Sequence, residues 1–362
     1  MLQFLVTRTP LLLPILLLAF AAQLSGRLLP GGVLAYIRVT SDDDLLIVHS
    51  LPQDIALEIA QHVVLSGGMA WSRDGRLAFV AANRSGEDHL YVWFGGTPQV
   101  IAPDHPYVSS PAWSEDGRLA FLQTYDDSGQ LFLWDGAQVI NVSGLSRMDG
   151  PAVWSADGRL AFRSSRDGNP EIYVWDNGRS TNVSQNSAFD TMPAWSSDGR
   201  LAFISNRDGD YKVYVWDGIS QRRISQGVGN DQYPAWSHDG LLSFTHTSAD
   251  QRVNVMVWDG AALTTVTDRP GTATLPIWSL DGQLAYFYTQ DGSTAIELWN
   301  RADVRQIDST LQNASSLVWG ADRQLAWAAR ETGSSEIYVW DNSSRSITQS
   351  SDNEYTPLWW IP

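Results

Sequence analysis

Hydrophobic positions along the chain fall in short runs, broken about every ten residues by Gly, Asp or Asn, and the runs recur. The sharpest copy is Pro193-Ala194-Trp195, a polar Ser196-Ser197-Asp198-Gly199, then Leu201-Ala202-Phe203. Two apolar segments meeting across Asp-Gly predict strand, tight turn, strand. The tryptophan of this unit recurs as Trp71, Trp113, Trp154, Trp195, Trp236, Trp278 and Trp319, in steps of 41 or 42 residues. Eight residues after each comes an aromatic: Phe79, Phe121, Phe162, Phe203, Phe244, Tyr286 and Trp327. A third apolar segment ends at Trp93, Trp134, Trp175, Trp216, Trp258, Trp299 and Trp340, and a short fourth follows, as at Arg222-Arg223-Ile224. Four short strands in about 41 residues predict one propeller blade. The near-continuous apolar character of Val213-Tyr214-Val215-Trp216 fits a sheet covered on both faces. No segment sustains a 3.6-residue period, which excludes a helical solenoid.

The two ends of the repeat array complement each other. Val33-Leu34-Ala35-Tyr36 matches the second strand of a blade, and Leu45 to His49 matches the third, but no first strand precedes them. Thr356-Pro357-Leu358-Trp359 supplies a first strand with no blade after it. Joining residues 31–66 with 354–360 makes a composite blade that removes exposed sheet edges. The expectation is an all-β chain: an eight-bladed β-propeller of four-stranded antiparallel blades, residues 31–362, as one domain. Blades start near 71, 113, 154, 195, 236, 278 and 319, with the composite blade closing the ring. Residues 1–30 stand apart: Arg8 precedes an unbroken apolar run from Pro10 to Ala22, read as a signal peptide or an N-terminal membrane anchor. An extracytoplasmic location follows from either reading.

The units resemble the WD-repeat-like propeller repeats of the TolB family. The residues that carry the resemblance are the Trp-Ser-x-Asp-Gly turns, the Leu-Ala-Phe strands, and Ser165-Arg166-Asp167-Gly168 and Asn206-Arg207-Asp208-Gly209 leading to Ile172-Tyr173 and Val213-Tyr214. The likeness spans residues 33 to 360. The proline that follows Trp-Ser in the family pattern is absent from every copy, and the α/β domain that precedes the TolB propeller has no counterpart. The resemblance implies a propeller used as a docking platform for proteins.

Composition narrows the function classes. Seventeen tryptophans suggest a carbohydrate platform, but all except Trp360 sit at repeat positions, which assigns them to packing between blades. There is no cysteine, no Gly-x-Ser-x-Gly elbow, no His-Glu-x-x-His and no phosphate loop. A net charge of −16, with Lys212 the only lysine among 24 basic residues, excludes nucleic acid as an expected partner and favours a protein presenting basic groups.

One set of polar residues recurs in register. Asp149, Asp190, Asp231 and Glu354 each stand five residues before a first-strand tryptophan, in the loops entering the central channel. They are candidates for binding a partner or a cation such as calcium at the channel mouth; otherwise no cofactor is implied. Arg166 and Arg207 are candidates to neutralise them. Reaching to the next blade, they would pair with Asp190 and Asp231; staying within their own, with Asp149 and Asp190, leaving Asp231 free. The expected function is a monomeric, exported, non-catalytic binding scaffold. The alternative is a propeller hydrolase or lyase acting on glycans or peptides with these acids at the channel mouth.

Overall fold

The second strand of each repeat alternates side chains between two neighbouring sheets, and this alternation organises the fold. Leu201 and Phe203 pack with Ala161, Ile172 and Val174 of the preceding unit, while Ala202 and Ile204 pack with Leu242, Phe244 and Trp258 of the following one. These four second-strand residues are essentially inaccessible to water. Both faces of the strand are therefore buried, at about 1.5–3 kcal/mol per large apolar side chain.

The computed structural model describes residues 32–125, 128–144, 150–330 and 333–362; the leader expected over residues 1–30 lies outside them. Among the described residues the regular elements are strands, apart from one 3-10 turn at Leu65–Gly67. The unit around Trp195 is typical: Asp190–Trp195, Leu201–Asp208, Asp210–Trp216 and Gln221–Arg223 pair antiparallel in that order. Phe203 faces Tyr214 across the second and third strands, and their rings stack at 5.8 Å.

Four other four-stranded sheets occur among the described residues, together with one eleven-stranded sheet that runs three units together. They merge because Val304–Trp319 is a single long strand, whose first half completes one unit and whose second half begins the next. A single parallel pairing, Val253 with Thr272, makes the other link. At the termini the order is Ile55–Ala60, Asp44–Ser50, Val33–Val39, Asn353–Trp360, with Leu34 opposite Trp359 and Ala35 opposite Leu358. The sheet that the two ends of the array were expected to share is therefore formed.

First strands lie side by side in chain order, and their tryptophans tie them together. The indole N–H groups of Trp113, Trp154, Trp236, Trp278 and Trp319 donate to carbonyls of the preceding first strand, those of Ala70, Ala112, Ala194, Ala235 and Ile277. Trp71 makes the same bond, at 3.2 Å, to Leu358 near the C-terminus. The rings of Trp71, Trp113, Trp154, Trp195, Trp236 and Trp278 also meet the third-strand tryptophan of their own unit edge to face, as Trp195 meets Trp216 at 6.3 Å.

Two local features differ from the sequence expectation. The Asp-Gly turn has three residues: Ser72 N–H bonds Arg76, Gly75 N–H bonds Ser72, and of the pair only Gly75, at φ +87°, is left-handed. That is the turn in which a glycine supplies the positive φ next to a bulge. In six of the first strands, the position three residues before the tryptophan is also left-handed without being glycine: Ser110, Met192, Tyr233, Leu275, Ser316 and Thr356, at φ +51° to +58°. The register slips there, for example between Thr191 and Ala194. Proline at the next position in five of the six disfavours the α-helical conformation, so the chain is displaced into a bulge.

Candidate functional site

The recurring acids stand at the start of their first strands and look across at the second strand of their own blade. Register places Asp190 opposite Ser205, Asp231 opposite His246, and Glu354 opposite Arg38. All three carboxylates are fully buried. Each is met by a basic group from its own blade: Arg207 at 3.3 Å from Asp190, His246 Nδ1 at 2.7 Å from Asp231, and Arg38 Nε at 2.9 Å from Glu354. Asp149 lies outside the described residues. Arg207 thus follows the own-blade arrangement. Asp231, which that arrangement would leave free, has its oxygens engaged by His246 and by the Val213 N–H at 3.3 Å.

Arg166 stacks on Tyr173 at 4.2 Å and donates to Ser164 at 3.1 Å; among the described residues it forms no ion pair. Arg207 stacks likewise on Tyr214 at 4.4 Å while holding Ser205, Gln221 and the Ser184 carbonyl. The Arg-Asp-Gly motif therefore places its arginine on an aromatic of its own sheet.

Burial pushes the carboxyl of Asp190 upward. The nearby Glu171 adds to this, and Ser205, Ser184 and Arg207 oppose it. Glu354 is raised for the same first reason, with Ser350 and Arg38 opposing and Glu336 adding. One oxygen of each, Asp190 Oδ2 and Glu354 Oε2, is buried without a hydrogen-bond partner. Carboxylates sealed in this way are closed off from solvent. Among the described residues, no group of three or more His, Asp or Glu is placed to hold a metal ion.

Sequence reasoning missed a second set of buried charges behind the acids. Glu171 accepts from Ser184, Asn169 and the Asn186 N–H. Lys212, only 1% exposed, donates to the Gly229 carbonyl at 2.6 Å. The signal was available, because Glu171, Lys212 and Glu336 all stand four residues before a third-strand tryptophan. Besides polar side chains such as Ser66 and Gln232, the loop end exposes large apolar ones: Leu65, Tyr107, Tyr125, Tyr233 and Leu275, each more than a third accessible. Leu65 and Tyr107 stand six residues before their tryptophans, and Tyr233 and Leu275 occupy the left-handed bulge.

The opposite, turn end is built from one repeated clasp. In the Trp-Ser-x-Asp-Gly-Arg turns, Ser155 Oγ donates to Asp157, and Arg159 pairs with Asp157 at 2.9 Å. The guanidinium of Arg159 then lies 4.6 Å over Trp195 of the next blade. Arg76, Arg118 and Arg200 repeat this over Trp113, Trp154 and Trp236, at 4.3–4.7 Å. The main partners of the turn aspartate are thus a serine and an arginine that reaches across blades.

Comparison with known proteins agrees with this architecture. Residues 94–251 match the TolB beta propeller domain, and the TolB-type resemblance is thereby shown over that stretch. No curated protein matches the sequence. The β-propeller domain of the Trilobed protease from Pyrococcus furiosus is similar in fold, with a TM-score of 0.55 at 14% identity over 76% of this chain and 92% of that one. Porphyromonas gingivalis dipeptidyl peptidase 4 is similar over 82% of this chain and 56% of its own, with a TM-score of 0.59 at 14% identity. Pyrococcus horikoshii acylaminoacyl peptidase gives 0.52 at 15% identity over 76% of this chain and 50% of its own. The chain spans about half the length of these last two peptidases. At such identities the likeness concerns the fold, a β-propeller, and leaves the activity to the chemistry of the site.

Proposed function

We propose that this chain is an exported, non-catalytic β-propeller whose loop end docks a protein partner. The observation that carries the reading is the division of labour at that end. The recurring acids are buried and engaged within their own blades, while tyrosines and leucines from the same loops are left accessible. Tyrosine is enriched at protein interfaces because it offers a large apolar face with a polar tip and few rotamers to freeze. In this reading Asp190, Asp231 and Glu354, with Asp149, are posts that fix the loops carrying those side chains. A net charge of −16 favours a partner with basic groups and disfavours nucleic acid.

The scaffold in this reading is a single ring of eight blades over residues 31–362, closed where Asn353–Trp360 joins Val33–Val39. Support comes from the Trp71 indole bond to Leu358, which repeats at the chain ends the bond linking consecutive blades elsewhere. The apolar run from Pro10 to Ala22 behind Arg8 supports export as signal peptide or anchor. Among the described residues no helix is long and apolar enough to cross a membrane.

The test is cross-linked affinity capture with the exported chain, wild type against a Tyr107→Ala/Tyr233→Ala/Leu275→Ala variant. A partner captured by the wild type and lost in the triple variant, at unchanged thermal unfolding, is the expected outcome. A partner retained by the variant removes the loop end as the docking surface.

A further inference from the structure

A cavity of about 330 Å³ opens at the loop end where the Trp154, Trp195 and Trp236 blades meet. Phe189, Met192, Ile204 and Tyr211 form its apolar walls, with Arg163 and Asp231 among the polar residues that line it. The Phe189 and Tyr211 rings stand edge to face at 6.2 Å, a fixed aromatic corner. This volume is at the small end of ligand pockets, which span about 300–1,000 Å³.

Its two charged residues are in different states. Asp231 is satisfied by His246 and the Val213 N–H. Half-buried Arg163 is only partly satisfied: its Nε is buried without a hydrogen-bond partner, and among the described residues it forms no ion pair. Its nearest compensation is the face of Phe189, 5.9 Å from the guanidinium carbon. Every other blade-spanning or motif arginine described above reaches a carboxylate, a hydroxyl or a carbonyl. A buried guanidinium N–H without an acceptor is unfavourable unless something supplies one, and a carboxylate matches the guanidinium fork best.

We propose that this cavity binds a small monocarboxylate with a flat aromatic body, its acid group on Arg163 and its ring in the corner of Phe189, Tyr211 and Met192. A single negative charge is selected because Asp231 lines the same cavity. A dianion such as phosphate would place its second charge toward that carboxylate, and an amine would meet the arginine.

The probe is 3-phenylpropionate, titrated calorimetrically into the full-length chain, with 2-phenylethylamine and inorganic phosphate as controls. Saturable binding of 3-phenylpropionate alone is expected, weakened at least tenfold in Arg163→Ala and partly restored in Arg163→Lys. Should Arg163→Ala lower the thermal unfolding temperature, Arg163→Gln, which keeps the stem beside Phe189, replaces it. Absence of saturation with the wild type, equal binding by the wild type and a folded Arg163 variant, or equal binding of the amine overturns the proposal.

Discussion

At the turn end, Arg76, Arg118, Arg159 and Arg200 make the same clasp in four successive blades, each half-exposed aspartate holding an arginine over the next tryptophan. At the loop end no two acids are partnered alike: Asp190 takes an arginine from beyond its cross-strand neighbour, Asp231 a histidine, and Glu354 an arginine directly opposite. The difference lies in solvent. Exposed clasps tolerate a common sequence because water screens each pair and none contributes much. A sealed carboxylate has no such cushion, so each must be matched by its own partner. Repetition therefore marks the end that serves the fold, and variation marks the end where blades have acquired individual surroundings.

Where the common clasp is lost the chain improvises. Leu241 and Gln283 replace the turn arginine, and Asp239 and Asp281 are then held by Arg301 and Arg323 from elsewhere, both at 2.7 Å. The aspartate is kept in need of a cation even when its local one has gone.

The largest expected effect comes from a change that touches both ends. Removing residues 353–362 takes Glu354 from the loop end, and Trp360, which packs on Trp71 at 6.4 Å, from the turn end. It also strips the first strand from Val33–Val39. Loss of a cooperative thermal transition is expected, because an open apolar edge and two missing buried tryptophans exceed what a marginally stable domain tolerates. A truncated chain that melts like the full one would show that the terminal sheet is dispensable.

A paired comparison sharpens the contrast. Arg207→Met leaves Asp190 buried without its cation and is expected to lower stability by about 3 kcal/mol, as for a broken buried pair. Arg159→Met, at the turn end, is expected to lower it by about 1 kcal/mol, since the aspartate of the pair is exposed and what goes with it is the stacking on Trp195 and a long hydrogen bond to the Gly199 carbonyl. Adding Asp190→Asn to Arg207→Met should recover part of the first loss and leave the second unaffected. Equal effects of the two arginine changes in urea unfolding would erase the distinction between the ends.

The smallest effect is in pH. Asp116, Asp157 and Asp198 are held below the usual carboxylate range, first by the hydrogen bond from their arginines. They contribute stability present above the ordinary carboxylate pKa and lost as pH falls through the lowered one. Asp190 and Glu354 are raised by burial, so their contribution is present below the ordinary value, near 4, and is lost as pH rises through the raised one. Asp190→Asn/Glu354→Gln should flatten the decline of urea midpoint above about pH 4, while Asp116→Asn/Asp157→Asn/Asp198→Asn should flatten the fall on the acid side. The opposite assignment would reverse the electrostatic roles of the two ends.

Much of this architecture was legible because its period is carried by tryptophan. A ring of that size at a fixed step has few places to go except between sheets, so Trp71 through Trp319 located every blade they begin, and the mismatch between Val33–Tyr36 and Thr356–Trp359 pointed to the shared terminal sheet. The loop end was legible only in part. Spacing identified Asp190, Asp231 and Glu354 as a set, but not that His246 would occupy Asp231, or that Glu171 and Lys212 would lie buried nearby. The bulge at Met192 and its equivalents left no mark except the proline after it.

The sequence by itself determined strand order, blade length and the alternation of Leu201, Ala202, Phe203 and Ile204 to two faces, because side-chain direction along a strand has a period of two and needs no partner to be specified. Tertiary structure alone decided which charges meet. Arg159 lies 36 residues from Trp195, His246 15 from Asp231, and Arg38 316 from Glu354. Whether a charge is sealed or solvated depends on how neighbouring blades close over it. That closure also left Arg163 beside an apolar cavity without an acceptor, which no local pattern around it records.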